Sequence, residues 1–145
     1  MPRMLDVIRM VQRGELPPGP VATLIGFTIG SIEPGRVVME MDAGPQHANP
    51  MGTVHGGILC DLEDAAMGMA YATSLEEGET FTTLELKINF LKPVWTGRLT
   101  ATGRIVKGGH TVGLVECDVH DDKDRLVARA SSTCMTLRGE QGEGR

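Results

Sequence analysis

The chain is poor in the features that would assign it to a class at first sight. Only three of its 145 residues are cysteine, Cys60, Cys117 and Cys134. They are widely spaced within apolar patterns and form no CxxC or metal-ligand spacing, which suits reduced core thiols in a cytoplasmic protein. No run of about 18 apolar residues exists to cross a membrane. The N-terminus, MPRMLDVIRMVQRGELPPGP, lacks a continuous apolar stretch and a small-residue cleavage site, so it does not read as a secretory signal. No Lys/Arg cluster exceeds two residues, and the net charge is −5 with a pI near 5.3. Nucleic-acid binders carry a basic stripe instead. An acidic total still permits a phosphate-bearing ligand, which needs only a local basic rim. G-x-S-x-G, G-x-G-x-x-G and the P-loop are missing too, leaving elbow-type serine hydrolases and the common nucleotide folds unsupported. His47, His55, His110 and His120 pair with neither one another nor a Cys at ligand spacing, so no metal site is expected.

Glycine is abundant: 19 of 145 residues, nearly twice the usual share of about 7%. That excess implies many turns or close backbone approaches. With 41% hydrophobic and 23% charged residues, the chain suits one globular domain over residues 1–145.

Periodicity divides it. Met4, Leu5, Ile8 and Val11 predict a short amphipathic helix over 2–13, stopped by Gly14 and the PPGP at 17–20; residues 1–19 form this helix and its linker. Residues 21–35 read as a first strand ending in a Pro-Gly turn. RVVMEMDA (36–43) is a second, with Val37, Met39 and Met41 on one face. After a loop at 44–52, a helix is expected from His55-Gly56-Gly57 to near Ser74. Its stripe of Ile58, Leu62, Ala65, Ala66 and Met69 is joined by apolar residues nearly all round, the mark of a buried helix. The period then becomes two. Leu84, Leu86, Ile88 and Phe90 share a face; Leu99, Ala101, Gly103 and Ile105 follow. Gly108-Gly109 turns into a strand carrying Val115, Cys117 and Val119, and 125–137 is the last, before a frayed tail at 139–145. Successive hairpins with one apolar helix define an α+β fold, a strongly curved antiparallel sheet against that helix.

Within the helix, Asp61, Glu63 and Asp64 are out of place. A carboxylate on a buried helix is costly unless paired, hydrogen-bonded or set in a pocket. At 100° per residue Asp61 and Asp64 lie within about 60° of each other, with Glu63 further round. Either an acidic face reaches solvent or an arginine, or one carboxylate works. The Gly-Gly pair allows two readings as well. It permits close packing, or it lets a ligand reach the unpaired N–H groups and positive dipole end of a helix, as an oxyanion requires.

Taken together, Asn49, the GTVHGG at 52–57, Asp64 nine residues after His55, and a strand ending in FLKP resemble the hotdog-fold acyl-CoA thioesterases. The nearer branch is the phenylacetate-degradation and 4-hydroxybenzoyl-CoA thioesterase type, over residues 20–138. The resemblance implies a sheet wrapped around one long central helix, and hydrolysis of an acyl-CoA to acid and coenzyme A. It implies Asp64 as nucleophile or general base, the Gly56 N–H polarising the thioester carbonyl, Asn49 positioning water or thioester, and His55 shaping that loop. Thr83 falls where close relatives carry a serine at the reacting centre, with an added methyl group. It implies a homo-oligomer, a dimer as minimum unit and a tetramer as the dimer of dimers, with Asn/Gly from one subunit and Asp from its neighbour. Asp61 and Glu63 then become solvent-facing or hydrogen-bonded acids. Coenzyme A is part of the substrate, and no cofactor is needed. Gly57, Arg104, Lys107, Gly108, Gly109 and His110 are candidates to border the coenzyme A groove. The usual His-led motifs of hotdog dehydratases do not occur in the HGG region. The rival reading is a non-catalytic acyl-CoA binder or sensor.

Overall fold

A computed structural model describes residues 2–144. Six strands, β1 (Phe27–Glu33), β2 (Arg36–Ala43), β3 (Thr80–Phe90), β4 (Gly97–Gly108), β5 (Val112–His120) and β6 (Leu126–Leu137), form one antiparallel sheet in the order β1-β2-β4-β5-β6-β3. Three helices accompany them: α1 (Met4–Gln12), α2 (Pro20–Ile25) and α3 (Gly56–Ala72). The connection from β2 to β4 encloses α3 and β3, so β3 crosses to the far edge and the sheet curls around α3. This is the hotdog architecture. No helix among the described residues is long and apolar enough to cross a membrane.

The alternating patterns face where their period requires. Val37, Met39 and Met41 of β2, Leu99 and Ala101 of β4, and Val115, Cys117 and Val119 of β5 are buried against Leu59, Leu62, Ala66, Met67 and Ala70 of α3. One glycine sets the closeness of this packing. A Cβ at Gly103 of β4 would sit 2.3 Å from the Ala66 carbonyl oxygen, so only glycine lets β4 lie this near the helix backbone.

Three local features depart from expectation. Residues 21–25, read above as strand, join Pro20 to form α2. Pro20 occupies its first turn and Gly26, at φ 94°, ends it in the left-handed conformation. Leu84 is not a regular member of the alternating set. The register of β3 on β6 slips between Thr83 and Glu85, leaving Leu84 as the extra residue of a bulge, and it is exposed. The bulge exchanges the inward parity: Phe81 and Thr83 face α3 before it, Leu86 and Ile88 after it. Gly139–Gly142 forms a single 3-10 turn beyond β6, and Arg138 ahead of it bonds Glu79 and the His110 carbonyl. Arg145 lies outside the described residues.

Candidate active site

The loop before α3 is built from its own polar side chains. His47 is buried, its Nε2 donating to the Ile25 carbonyl at 2.7 Å and its Nδ1 accepting from the Gly44 N–H at 3.1 Å. Its carbonyl accepts the His55 N–H at 2.8 Å. Asn49 Oδ1 accepts from the N–H groups of Met51 and Thr53, and Asn49 Nδ2 donates to Thr53 Oγ1 at 2.8 Å. The side chain expected to position substrate therefore first closes the 49–53 turn. One of its two amide protons goes to Thr53; the other is available.

His55 is the N-cap of α3. Its Nδ1 accepts from the Gly57 N–H at 2.8 Å, while the N–H groups of Ile58 and Leu59 reach the His55 carbonyl. That leaves the Gly56 N–H as the free donor of the first turn, without an acceptor among the described residues. It points the positive end of a 17-residue helix at a cleft of about 460 Å³ lined by Asn49, Thr53, Gly56, Leu59, Phe90 and Lys92 among others. Gly56 is needed here for space: a Cβ would lie 2.8 Å from the Phe90 ring.

Asp64 lies eight residues further along the same helix, about 12 Å at 1.5 Å per residue. It is exposed in the single chain and lines a separate recess of about 220 Å³ with Met4, Gly68, Met69, Phe81 and Thr83. The bulge at Leu84 is what turns Thr83 into this recess. Desolvation by the surrounding atoms, and then the charge of Asp61, raises the Asp64 pKa above its ordinary value. Asp61 is exposed, as expected. The neighbouring Cys60 thiol has its pKa raised, first by burial and then by Asp64.

Glu63 corrects the expectation that it meets solvent or a hydrogen-bond partner. It is 0% exposed, and neither carboxylate oxygen has a partner. One residue back from Asp64 is a turn of about 100°, and that turn carries Glu63 from the recess to the sheet side of α3. Burial, followed by the charge of Asp118, pushes its pKa up to about 8, so it is a neutral acid near pH 7.

The structure thus gathers the predicted residues into two half-sites, Asn49, His55, Gly56 and Gly57 at the start of α3 and Asp64 with Thr83 at its middle. Arg104, Lys107, Gly108, Gly109 and His110 line neither. Arg104 follows the inward Gly103 and so faces away from α3, bonded to Glu116 at 2.8 Å. Lys107, Gly108, Gly109 and His110 run through the β4–β5 hairpin, where the Gly109 N–H donates to the Val112 carbonyl. Sequence reasoning missed Phe90 and Lys92 in the first cleft and Met4 and Gly68 in the second. Membership in the FLKP segment, residues 90–93, was the available cue for the first pair. No group of three or more His, Cys, Asp or Glu among the described residues is placed to hold a metal.

A sheet curled around one long helix, with a free N–H at the helix start and a carboxylate in its middle, is the frame of a hotdog-fold hydrolase. Residues 51–128 match the family model described as the thioesterase superfamily, and the chain belongs to that family. A protein of Saccharolobus solfataricus, provisionally named an esterase, is 34% identical over 108 residues, covering 74% of this chain and 76% of its own. Human acyl-coenzyme A thioesterase 13 is 29% identical, covering 74% of this chain and 77% of its own. Among solved structures, a thioesterase family protein from Silicibacter pomeroyi superimposes with a TM-score of 0.81 at 29% identity, over 91% of this chain and 99% of that one.

Proposed function

We propose that this protein hydrolyses acyl-CoA thioesters at a site shared between two copies of the chain. The observation that carries the reading is the pairing of a free Gly56 N–H with a proton-hungry Asp64 on one helix, too far apart to meet on one carbonyl. A thioester needs both within hydrogen-bond reach of the same reacting group. The edge of the sheet supports a second copy as the missing half. β3 is an 11-residue edge strand pairing only with β6, and its Leu84 and Phe90 are exposed. Such an edge presents an unpaired row of backbone groups to another strand. Two-fold antiparallel pairing of β3 with its copy sets the Phe90 end of one chain, beside Gly56, against the Thr83 end of the other, beside Asp64.

In such a site the thioester oxygen accepts from Gly56. Asp64 takes a proton from a water whose oxygen bonds to the carbonyl carbon. Collapse of the tetrahedral intermediate breaks the C–S bond, and the proton passes from Asp64 to the leaving thiolate. In the other route an Asp64 oxygen attacks the carbonyl carbon, and the C–S bond breaks to release the thiolate. Water then hydrolyses the mixed anhydride at the Asp64 carbonyl to free acid and Asp64, one of its protons ending on the thiolate. Incorporation of labelled solvent oxygen into Asp64 during one turnover distinguishes the two. The oxyanion donor is worth about 2.7–4 kcal/mol. Coenzyme A enters as substrate, and the chemistry asks for no metal or cofactor.

The test is thiol release from acyl-CoAs by Asp64→Asn, by Gly56→Pro combined with Phe90→Ala, which removes the N–H where proline's backbone suits the first helical position and clears the ring its Cβ would meet, and by an exchanged mixture of both. Each variant alone should lose at least about a hundredfold. The mixture should recover about a quarter of wild-type activity, because half the dimers are mixed and each carries one intact site. Full activity in Asp64→Asn sinks the mechanism. A mixture as inactive as its parts sinks the shared site.

A further inference from the structure

Behind the Asp64 recess lies a second, larger cavity of about 480 Å³, enclosed by α1, α2, β1 and the nearest residues of β2 and α3. Val7, Val11, Ala22, Ile29 and Met39 are among its lining, and no charged side chain is. Its polar members are few, and Gln12 is occupied by a 2.9 Å bond to the Gly30 carbonyl. A cavity with these walls rejects phosphates and carboxylates and accepts hydrocarbon.

Its position says whose hydrocarbon. Met4 and Met69 line both this cavity and the recess that holds Asp64 and Thr83. These two unbranched thioethers are the partition between the spaces, and methionine side chains swing aside at little cost. On the recess side, Ala65, Gly68 and Ala72 keep the surface of α3 low. A chain whose carbonyl sits at Asp64 therefore has a shallow trough leading past Met4 and Met69 into the cavity. A single ring fills about 150 Å³, well short of this space. Apart from Phe27 and Pro18, the apolar walls are methionine, valine, isoleucine and alanine, which suit a flexible tail better than a flat ring.

We infer that the α1–α2–β1 cavity is the compartment for the acyl tail, and that the protein's substrates are CoA thioesters of medium- to long-chain aliphatic acids. This rests on the thioesterase reading above and adds to it a substrate class and a role for the N-terminal helices as the wall of the tail compartment.

The experiment measures kcat/KM for acetyl-, hexanoyl-, decanoyl-, palmitoyl- and benzoyl-CoA. Wild type should prefer decanoyl- over hexanoyl-CoA by about tenfold or more, since each buried methylene adds to binding. Ala22→Phe and Val11→Phe, which fill the cavity from two different helices, should each cut the decanoyl-to-acetyl ratio by about tenfold or more. Leu24→Ser, on the exposed side of α2 and outside the lining, should leave the ratio unchanged. Calorimetric binding of decanoyl-CoA and acetyl-CoA to Asp64→Asn, with and without Ala22→Phe, reads the tail site without turnover. Hydrolysis with no dependence on chain length, or a ratio that both filling variants leave intact, overturns the tail compartment while the thioesterase reading stands. Tail-dependent binding lost in Ala22→Phe, with no hydrolysis of any thioester by wild type, keeps the compartment and overturns the hydrolase.

Discussion

Asp61 and Asp64 stand one turn apart on the exposed side of α3, and the charge of the first adds to desolvation in raising the proton affinity of the second. The pair has a kinetic signature. Asp64 acts only when ionised, so the acid limb of kcat/KM should fall above the ordinary aspartate value. In Asp61→Asn the repelling charge is gone, Asp64 ionises at lower pH, and the acid limb should shift to lower pH. Rate profiles of the two proteins from pH 4 to 8 check this, and superimposable limbs would separate Asp61 from the site.

Glu63 should impose a pH dependence on stability rather than on rate. Its folded pKa, about 8, lies above the unfolded value near 4.5. Below about pH 4.5 both states hold the proton, and this group adds no pH dependence. Between the two values only the unfolded state ionises, so stability should decline by roughly 1 kcal/mol per pH unit and level off above pH 8. Glu63→Gln should flatten that slope, with its largest relative gain at pH 8–9. Urea unfolding at several pH values measures it, and parallel curves for both proteins would refute it.

Gly103→Ala should be among the most damaging single-methyl changes in the chain. The added carbon meets backbone atoms of Ala66 and Met67, at 2.3 and 2.8 Å, rather than a side chain that can turn. Overpacking of this kind costs about 1–3 kcal/mol or more. A fall in the urea midpoint is expected, and an unchanged midpoint would show that β4 can move off α3.

His55 acts through the helix start. His55→Ala removes the acceptor for the Gly57 N–H, a loss of about 0.5–2 kcal/mol. It also leaves two free donors where one now faces the cleft. Stability and kcat should fall together, and His55→Asn, which caps as well, should restore most of the stability. If His55→Asn restores neither, the ring serves something other than capping.

Most of the frame was readable because core residues carry a period. β2 and the buried faces of β4 and β5 follow directly from alternate apolar residues, and α3 begins at the glycine pair and ends two residues before Ser74. α2 was missed because six residues hold too little periodicity; the Pro20 and Gly26 that bracket it were the better guide. The Leu84 bulge was invisible because β-branched and apolar residues continue through it. For Glu63, helix geometry gave the angle from Asp64 but not what lay in that direction, which only the curled sheet supplies. The half-sites were each legible in their residues. Their separation was legible too: eight helical residues at about 1.5 Å each lie between Gly56 and Asp64, and the resemblance assigns the two to different subunits.

The span of α3 between Gly56 and Asp64 has a consequence for how such a protein behaves in a cell. If neither half works without its complement from another copy, then a folded chain alone is not yet a catalyst. Dilution should extinguish activity without denaturing anything, and specific activity should rise with protein concentration until association saturates. Expression level would then set not only how many sites exist but whether each exists at all.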